Sequence, residues 1–307
     1  MELMYILLVI LSFLFINKLF KNTNFYKNKF IDTYKFEDIP NNLEIVNLGS
    51  NQPKFAFDYE QSNILGMNWA VGPQTLEYDF RILKNYHSYL KKDAKVIISI
   101  CPFSFFVYQY KNDAANHKYY KFLDSSLIDG FSPIKKRLHI DFPIFTAKKQ
   151  ILRILKDVPA DKRRDIDINP LNAEKIKEDA QKWVNSWKKE FGIKELENIT
   201  LLDENKTNIE KNIKLLKEMM AFCKEREYTA VLLVLPVTKE LSSLFPDAFV
   251  EQYILNPITE ANKENVKFLN YWRDERFEAK ENYIDSFFMN KVGRLKFTKQ
   301  VLRDLEL

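Results

Sequence analysis

Leu43-Glu44-Ile45-Val46-Asn47-Leu48-Gly49-Ser50-Asn51 is the stretch on which the fold of this chain turns. A short run of aliphatic and β-branched side chains stops at a glycine, as a strand does where it meets a turn. Residues 64–71 form a second apolar run, and after Gly72-Pro73 the side chains Leu76, Phe80, Leu83, Tyr86 and Leu90 recur every three to four positions. That spacing places them on one face of a helix. Residues 95–101, Lys-Val-Ile-Ile-Ser-Ile-Cys, then read as a strand that is apolar nearly throughout, as expected of one covered on both faces. The same logic returns later: Ile209, Ile213, Leu216, Met220 and Cys223 share a helical face, and the apolar residues 230–235 follow, stopped by Pro236. Strands alternating with helices imply a parallel sheet sandwiched between helical layers. The expected fold is therefore a three-layer α/β/α domain with a mostly parallel central sheet. Residues 266–272 supply another strand, and Phe297, Val301 and Leu305 mark the inner face of a closing helix. From about 103 to 200 the pattern loosens into aromatic loops, a Lys- and Asp-rich stretch at 156–167 and a polar helix near 173–191, which together read as a helical and loop insertion.

Working outward, residues 3–16 are apolar apart from Ser12, and Leu19-Phe20 extends the run to nearly the length a bilayer requires. The start Met1-Glu2-Leu3 lacks the basic leader of a secretory signal, and no small-residue cleavage site follows. An uncleaved anchor over residues 1–21 is expected, then a polar and aromatic linker over 22–42 and the α/β domain over 43–307. The 307 residues carry 47 basic and 42 acidic side chains, a formal charge of +5. Intermixed charges with so small an excess are no nucleic-acid signature. Cys101 and Cys223 stand far apart in apolar or helical stretches, which favours buried free thiols over a disulfide framework.

Three short motifs carry a resemblance. Asn47-Leu48-Gly49-Ser50-Asn51 leads into Phe55-Ala56-Phe57-Asp58-Tyr59; Asn68-Trp69-Ala70-Val71-Gly72-Pro73-Gln74 follows; and Asp285-Ser286-Phe287-Phe288-Met289-Asn290-Lys291-Val292-Gly293 comes late, with Phe297-Thr298 after it. In order and spacing they resemble the blocks of the SGNH (GDSL-type) hydrolases, in the membrane-anchored branch associated with polysaccharide O-acylation. The resemblance covers roughly residues 43–101 and 209–305. It implies an esterase or acyltransferase acting on acyl groups of a surface polysaccharide, working beside a membrane-bound O-acyltransferase, without cofactor or metal. It also implies that Asp285 is the acid of the triad, that Gly72 offers a backbone N–H to an oxyanion, and that Asn68 and Gln74 lie by the substrate.

Two substitutions stand out against that pattern. The nucleophile position holds Asn51 and the base position Phe288, and residues 98–103 bring no asparagine for an oxyanion hole. Acyl transfer needs an attacking atom and a base to take its proton, and an amide and a benzene ring supply neither. Two readings stay open: a degenerate enzyme that uses Ser50 as a shifted nucleophile with His87, His117 or His139 as base, or a non-catalytic accessory or glycan-binding protein. Each histidine also has a plain reading, His87 on an amphipathic helix, His117 in a polar loop and His139 after the basic run 135–137. The domain's side of the membrane is read in two ways as well. Lys18, Lys21, Lys27 and Lys29 after the apolar run would hold it in the cytoplasm by the positive-inside rule, whereas the resemblance implies the extracytoplasmic side.

Overall fold

The computed structural model describes residues 1–110, 113–146, 172–197 and 199–307. They fall into two compact units: one spans 40–110 and 166–307, the other joins 1–39 to 111–165.

The larger unit is built on five strands, β1 (Leu43–Leu48), β2 (Gly66–Asn68), β3 (Leu90–Ile100), β4 (Thr229–Val234) and β5 (Lys267–Asn270). Their order is β2-β1-β3-β4-β5 and every pairing is parallel. Ile97 is in register with Asn47 on one side and with Val231 on the other. Parallel strands need crossover connections; the helices Leu76–Tyr86, Ala173–Glu190 and Asp203–Glu225 lie between the strands and Lys291–Asp304 follows the last. The result is the three-layer α/β/α architecture read from the sequence. The central strands are buried because both faces are covered: Val231, Leu232 and Leu233 are fully enclosed, each stabilising the fold by about 1.5–3 kcal/mol. The outer strands are short, so β2 occupies only three residues of the apolar run at 64–71, and β5 four of 266–272.

Reversal of strand order between β1 and β3 opens a crevice beyond their carboxyl ends, where open α/β sheets place their ligands. The chain turns out of β1 at Gly49, whose φ of 132° suits glycine; a Cβ there would lie 2.3 Å from Pro53 Cγ. Out of β3 it runs into the turn 103–107, which the Asp203–Glu225 helix holds from behind. Asn212 Nδ2 donates to the carbonyls of Phe105 and Val107, at 2.9 and 3.2 Å, and Asn208 Nδ2 to that of Phe106 at 2.9 Å.

The other unit gathers around the helix Glu2–Asn22, the one helix among the described residues long and apolar enough to cross a membrane. Nearly all of its first sixteen residues are exposed, whereas Asn17 and Phe20 are buried. The stretch read as a linker is helical over Asn24–Lys29 and Ile31–Phe36. Its aromatic side chains have partners about a hundred residues away: Tyr26 donates its hydroxyl hydrogen to Ile140 O at 3.0 Å, and Phe36 stacks on Phe122 at 4.5 Å. The insertion is likewise divided. Residues 103–110 and the helix Ala173–Glu190 belong with the sheet, residues 111–165 with the apolar helix. The Lys- and Asp-rich stretch at 156–167 lies outside the described residues.

Replacing Asn212 by leucine strips the 103–107 turn of its buried donor. Urea denaturation should show a loss of about 1–3 kcal/mol, with the midpoint shifted and the slope unchanged.

Candidate functional site

A cavity of about 210 Å3 occupies the crevice beyond β1 and β3. It is smaller than the roughly 300–1,000 Å3 of drug-sized sites. Its polar side comes from strand ends and the turns after them: Ser50, Asn51, Gln52, Gln74, Asp79 and Ser99. The apolar side is an aromatic wall. In it Phe288 lies 5.5 Å from Trp183, Trp183 lies 5.4 Å from Trp187, Trp187 lies 5.3 Å from Phe103, and Phe103 stacks on Phe191 at 4.9 Å.

The polar side is held together by one buried carboxylate. Asp79, in the first turn of the Leu76–Tyr86 helix and 2% exposed, accepts a hydrogen bond from the Gly49 backbone N–H at 2.8 Å and another from Gln74 Nε2. Gln74 also donates from Nε2 to Gly49 O at 3.3 Å, and its backbone N–H donates to Ser50 Oγ at 2.9 Å. These bonds tie the turn after β1 to the loop before the helix. They also commit the Gln74 side-chain NH2 to structure while Ser50 faces the cavity.

Asn51 opens a short helix, Asn51–Lys54. Its carboxamide lies against Gly72 so closely that a Cβ on that glycine would fall 1.6 Å from Asn51 Oδ1. The space above Gly72 is thus filled by the side chain that stands where the resemblance puts a nucleophile. Phe288 lines the same cavity; its ring also meets Phe55 at 5.0 Å. Asn51 and Phe288, 237 positions apart in the chain, are therefore brought to one site.

Asp285 does not line the cavity. Its Oδ1 accepts the backbone N–H groups of Phe287 and Phe288, at 2.8 and 2.7 Å, and so shapes the loop that presents Phe288. The next residue, Ser286, donates from Oγ and from its backbone N to Asp179 Oδ2, at 2.6 and 3.0 Å, fixing the loop to the Ala173–Glu190 helix. Asn68 is likewise away from the cavity. Its Nδ2 donates to the carbonyls of Pro53, Lys54 and Phe57, at 3.2, 3.2 and 3.1 Å, while Oδ1 accepts from Asn47 Nδ2 and Ala70 N, at 2.9 and 3.0 Å.

No histidine is among the described residues that line the cavity. His87 sits 3.5 Å from the Tyr228 hydroxyl, with its pKa lowered first by burial and then by the Arg226 charge. His117 and His139 stack on each other at 3.7 Å in the unit that carries the apolar helix. Cys101 does reach the cavity, but burial, reinforced by Asp79, pushes its thiol up to about 12, so at neutral pH it is not the thiolate a nucleophile must be. Partial burial also raises the Glu190 carboxyl at the rim. On the polar side two atoms lack partners: Gln52 Oε1 and Ser99 Oγ, on side chains 3% and 1% exposed. Among the described residues no three metal-ligating side chains converge.

Phe103 belongs to an aromatic stretch, 103–108, whose sequence suggests the lining of a glycan or acyl groove; the part of the wall from residues 183–191 is what sequence reading missed. Trp183, Trp187 and Phe191 fall four residues apart on a helix whose other positions are mostly charged, a spacing that in retrospect marks one contact face. No protein-family model matches the chain, and no curated protein matches it in sequence.

Two outcomes follow. Asn68→Ala removes a side chain engaged at both ends and should cost about 2–4 kcal/mol in urea denaturation without a specific effect on ligand binding in protein that stays folded. Alkylation of Cys101 by iodoacetamide, followed by mass spectrometry, should be negligible at pH 7–8 and climb only as pH approaches 12. Rapid labelling at neutral pH would contradict the buried-thiol assignment.

Proposed function

We propose that this chain is a non-catalytic relative of the SGNH hydrolases that holds a sugar ring, or the acyl group it bears, in the cavity beyond β1 and β3. It would serve as an accessory to acylation of a surface polysaccharide, beside a membrane-bound O-acyltransferase. The observation that carries the reading is the Asn51 carboxamide packed over Gly72, with Phe288 in the same cavity. In a working esterase that space receives the developing oxyanion, and those two positions attack and take the proton. Here one is an amide already in the oxyanion's place, the other a hydrocarbon ring.

The cavity suits binding better than chemistry. Trp183 and Trp187 offer flat apolar faces to the C–H face of a sugar or to an acyl chain, and aromatic side chains combine large contact area with directional packing. Ser50, Asn51 and Gln52 lie close by, with hydroxyl and amide groups to orient a hydroxyl-rich ligand. The volume admits one ring or a short acyl chain, so a longer glycan would continue outside.

Titration of the folded protein with acetylated monosaccharides and oligosaccharides, followed by tryptophan fluorescence, tests the binding. Trp183→Ala should weaken it about tenfold, equivalent to about 1.4 kcal/mol, while Ser50→Ala leaves ester turnover at the uncatalysed background. Ester hydrolysis by the wild-type chain that Ser50→Ala abolishes would overturn the non-catalytic reading. The double substitution Asn51→Ser with Phe288→His tests the SGNH relationship, since it should clear the space over Gly72 and introduce measurable esterase activity. A folded double variant without activity would count against it.

A further inference from the structure

The apolar helix Glu2–Asn22 does not stand alone in its unit. Phe13 stacks on Phe145 with ring centroids 4.8 Å apart, and Phe142 lies 5.9 Å away. One turn further on, Asn17 Nδ2 donates to Asp141 O at 2.8 Å, and beyond that the Tyr26 hydroxyl meets Ile140 O. Residues 140–145 thus run along the helix from the level of Tyr26 back towards that of Phe13. The helix beside them is not sheltered: Leu14, Phe15 and Ile16 are 45%, 62% and 39% exposed. Residues 13–16 differ in height along a helix by only about 5 Å. Whatever medium surrounds Leu14, Phe15 and Ile16 must also reach the segment packed on Phe13.

That segment has the composition of a membrane interface. Phe145 is 53% exposed and Ile134 70% exposed. Lys136 and Arg137 are exposed between them, and Lys18 is exposed on the helix one residue past Asn17. Apolar side chains at acyl-chain depth beside basic ones at headgroup depth are how a monotopic segment sits in a bilayer, and basic side chains near an anionic surface strengthen that contact.

We propose that residues 132–146 form a second membrane contact, in which Phe145 enters the acyl boundary and Lys136 and Arg137 take anionic phospholipid headgroups. The inference rests on insertion of the Glu2–Asn22 helix into the bilayer and is independent of what the cavity binds. Its effect is to fix the unit at the interface through two segments, so that the helix acts as part of a seated platform and not as a free tether.

The test uses the full chain reconstituted into vesicles of phosphatidylcholine alone or with 30% phosphatidylglycerol. An environment-sensitive nitrobenzoxadiazole dye is attached at Phe145→Cys, at Thr146→Cys as a variant that keeps the Phe13–Phe145 stack, and at Phe15→Cys as the marker of helix insertion. Burial raises Cys101 and Cys223 to about 12, so neutral-pH labelling favours the introduced thiol. We expect blue-shifted emission and quenching by spin-labelled lipid at 145 and 146, at least twofold stronger in the anionic vesicles, and loss of that difference with Lys136→Glu and Arg137→Glu together. Quenching at 15 with water-like emission at both 145 and 146 overturns the proposal and leaves helix insertion standing. Equal quenching in the two lipid mixtures overturns it too, because the headgroup contact is then absent. Without quenching at 15, helix insertion and the proposal fall together.

Discussion

The bond from the Gly49 backbone N–H to the Asp79 carboxylate governs the polar half of the cavity. A buried acidic group needs donors, and here they are a strand-end amide and the Gln74 side chain. Because those two donors come from the turn after β1 and the loop before the Leu76–Tyr86 helix, satisfying Asp79 brings both segments together. Ser50, Asn51 and Gly72 then take positions that follow from this clamp. Glycine at 49 is part of the same constraint, since its positive φ and its closeness to Pro53 leave no room for a side chain.

The rest of the cavity obeys a different rule. Its wall is aromatic packing braced by the Asp179 carboxylate, which accepts two hydrogen bonds from Ser286 and so joins the Ala173–Glu190 helix to the loop carrying Phe287 and Phe288. Asp285 serves the same loop from within through its two backbone contacts. Asp285 is thus occupied with local geometry, which holds the form of the loop that presents Phe288 to the cavity.

The central sheet was legible because β4 and the second half of β3 are enclosed on both faces and so write nearly unbroken apolar runs into the sequence. The edge strands β2 and β5 were blurred, since a strand of three or four residues leaves little periodicity. Asn51 and Phe288 could be paired across the whole chain through their motifs, and the structure places them in one cavity. Asn68 and Asp285 were assigned to the site by the same motifs, yet Asn68 bonds the Asn47 side chain and nearby backbone, and Asp285 Oδ1 bonds the backbone of its own loop. The tryptophans of the aromatic wall escaped notice because Trp183 and Trp187 sit among lysines and glutamates on a helix whose partner loop comes about a hundred residues later. At 22–42, which the sequence presents as a polar and aromatic linker, the partners of Tyr26 and Phe36 are Ile140 and Phe122, about a hundred residues away and so outside any local pattern.

The fit of Asn51 against Gly72 bears on how natural variation in such proteins should be interpreted. Any side chain at position 72 would collide with the carboxamide, so selection for folding alone can hold that residue as glycine. An invariant glycine at this point would therefore be accounted for by packing, whether or not any oxyanion forms beside it. Constancy at 72 would then report the bulk of the neighbour at 51 and carry no information about catalysis.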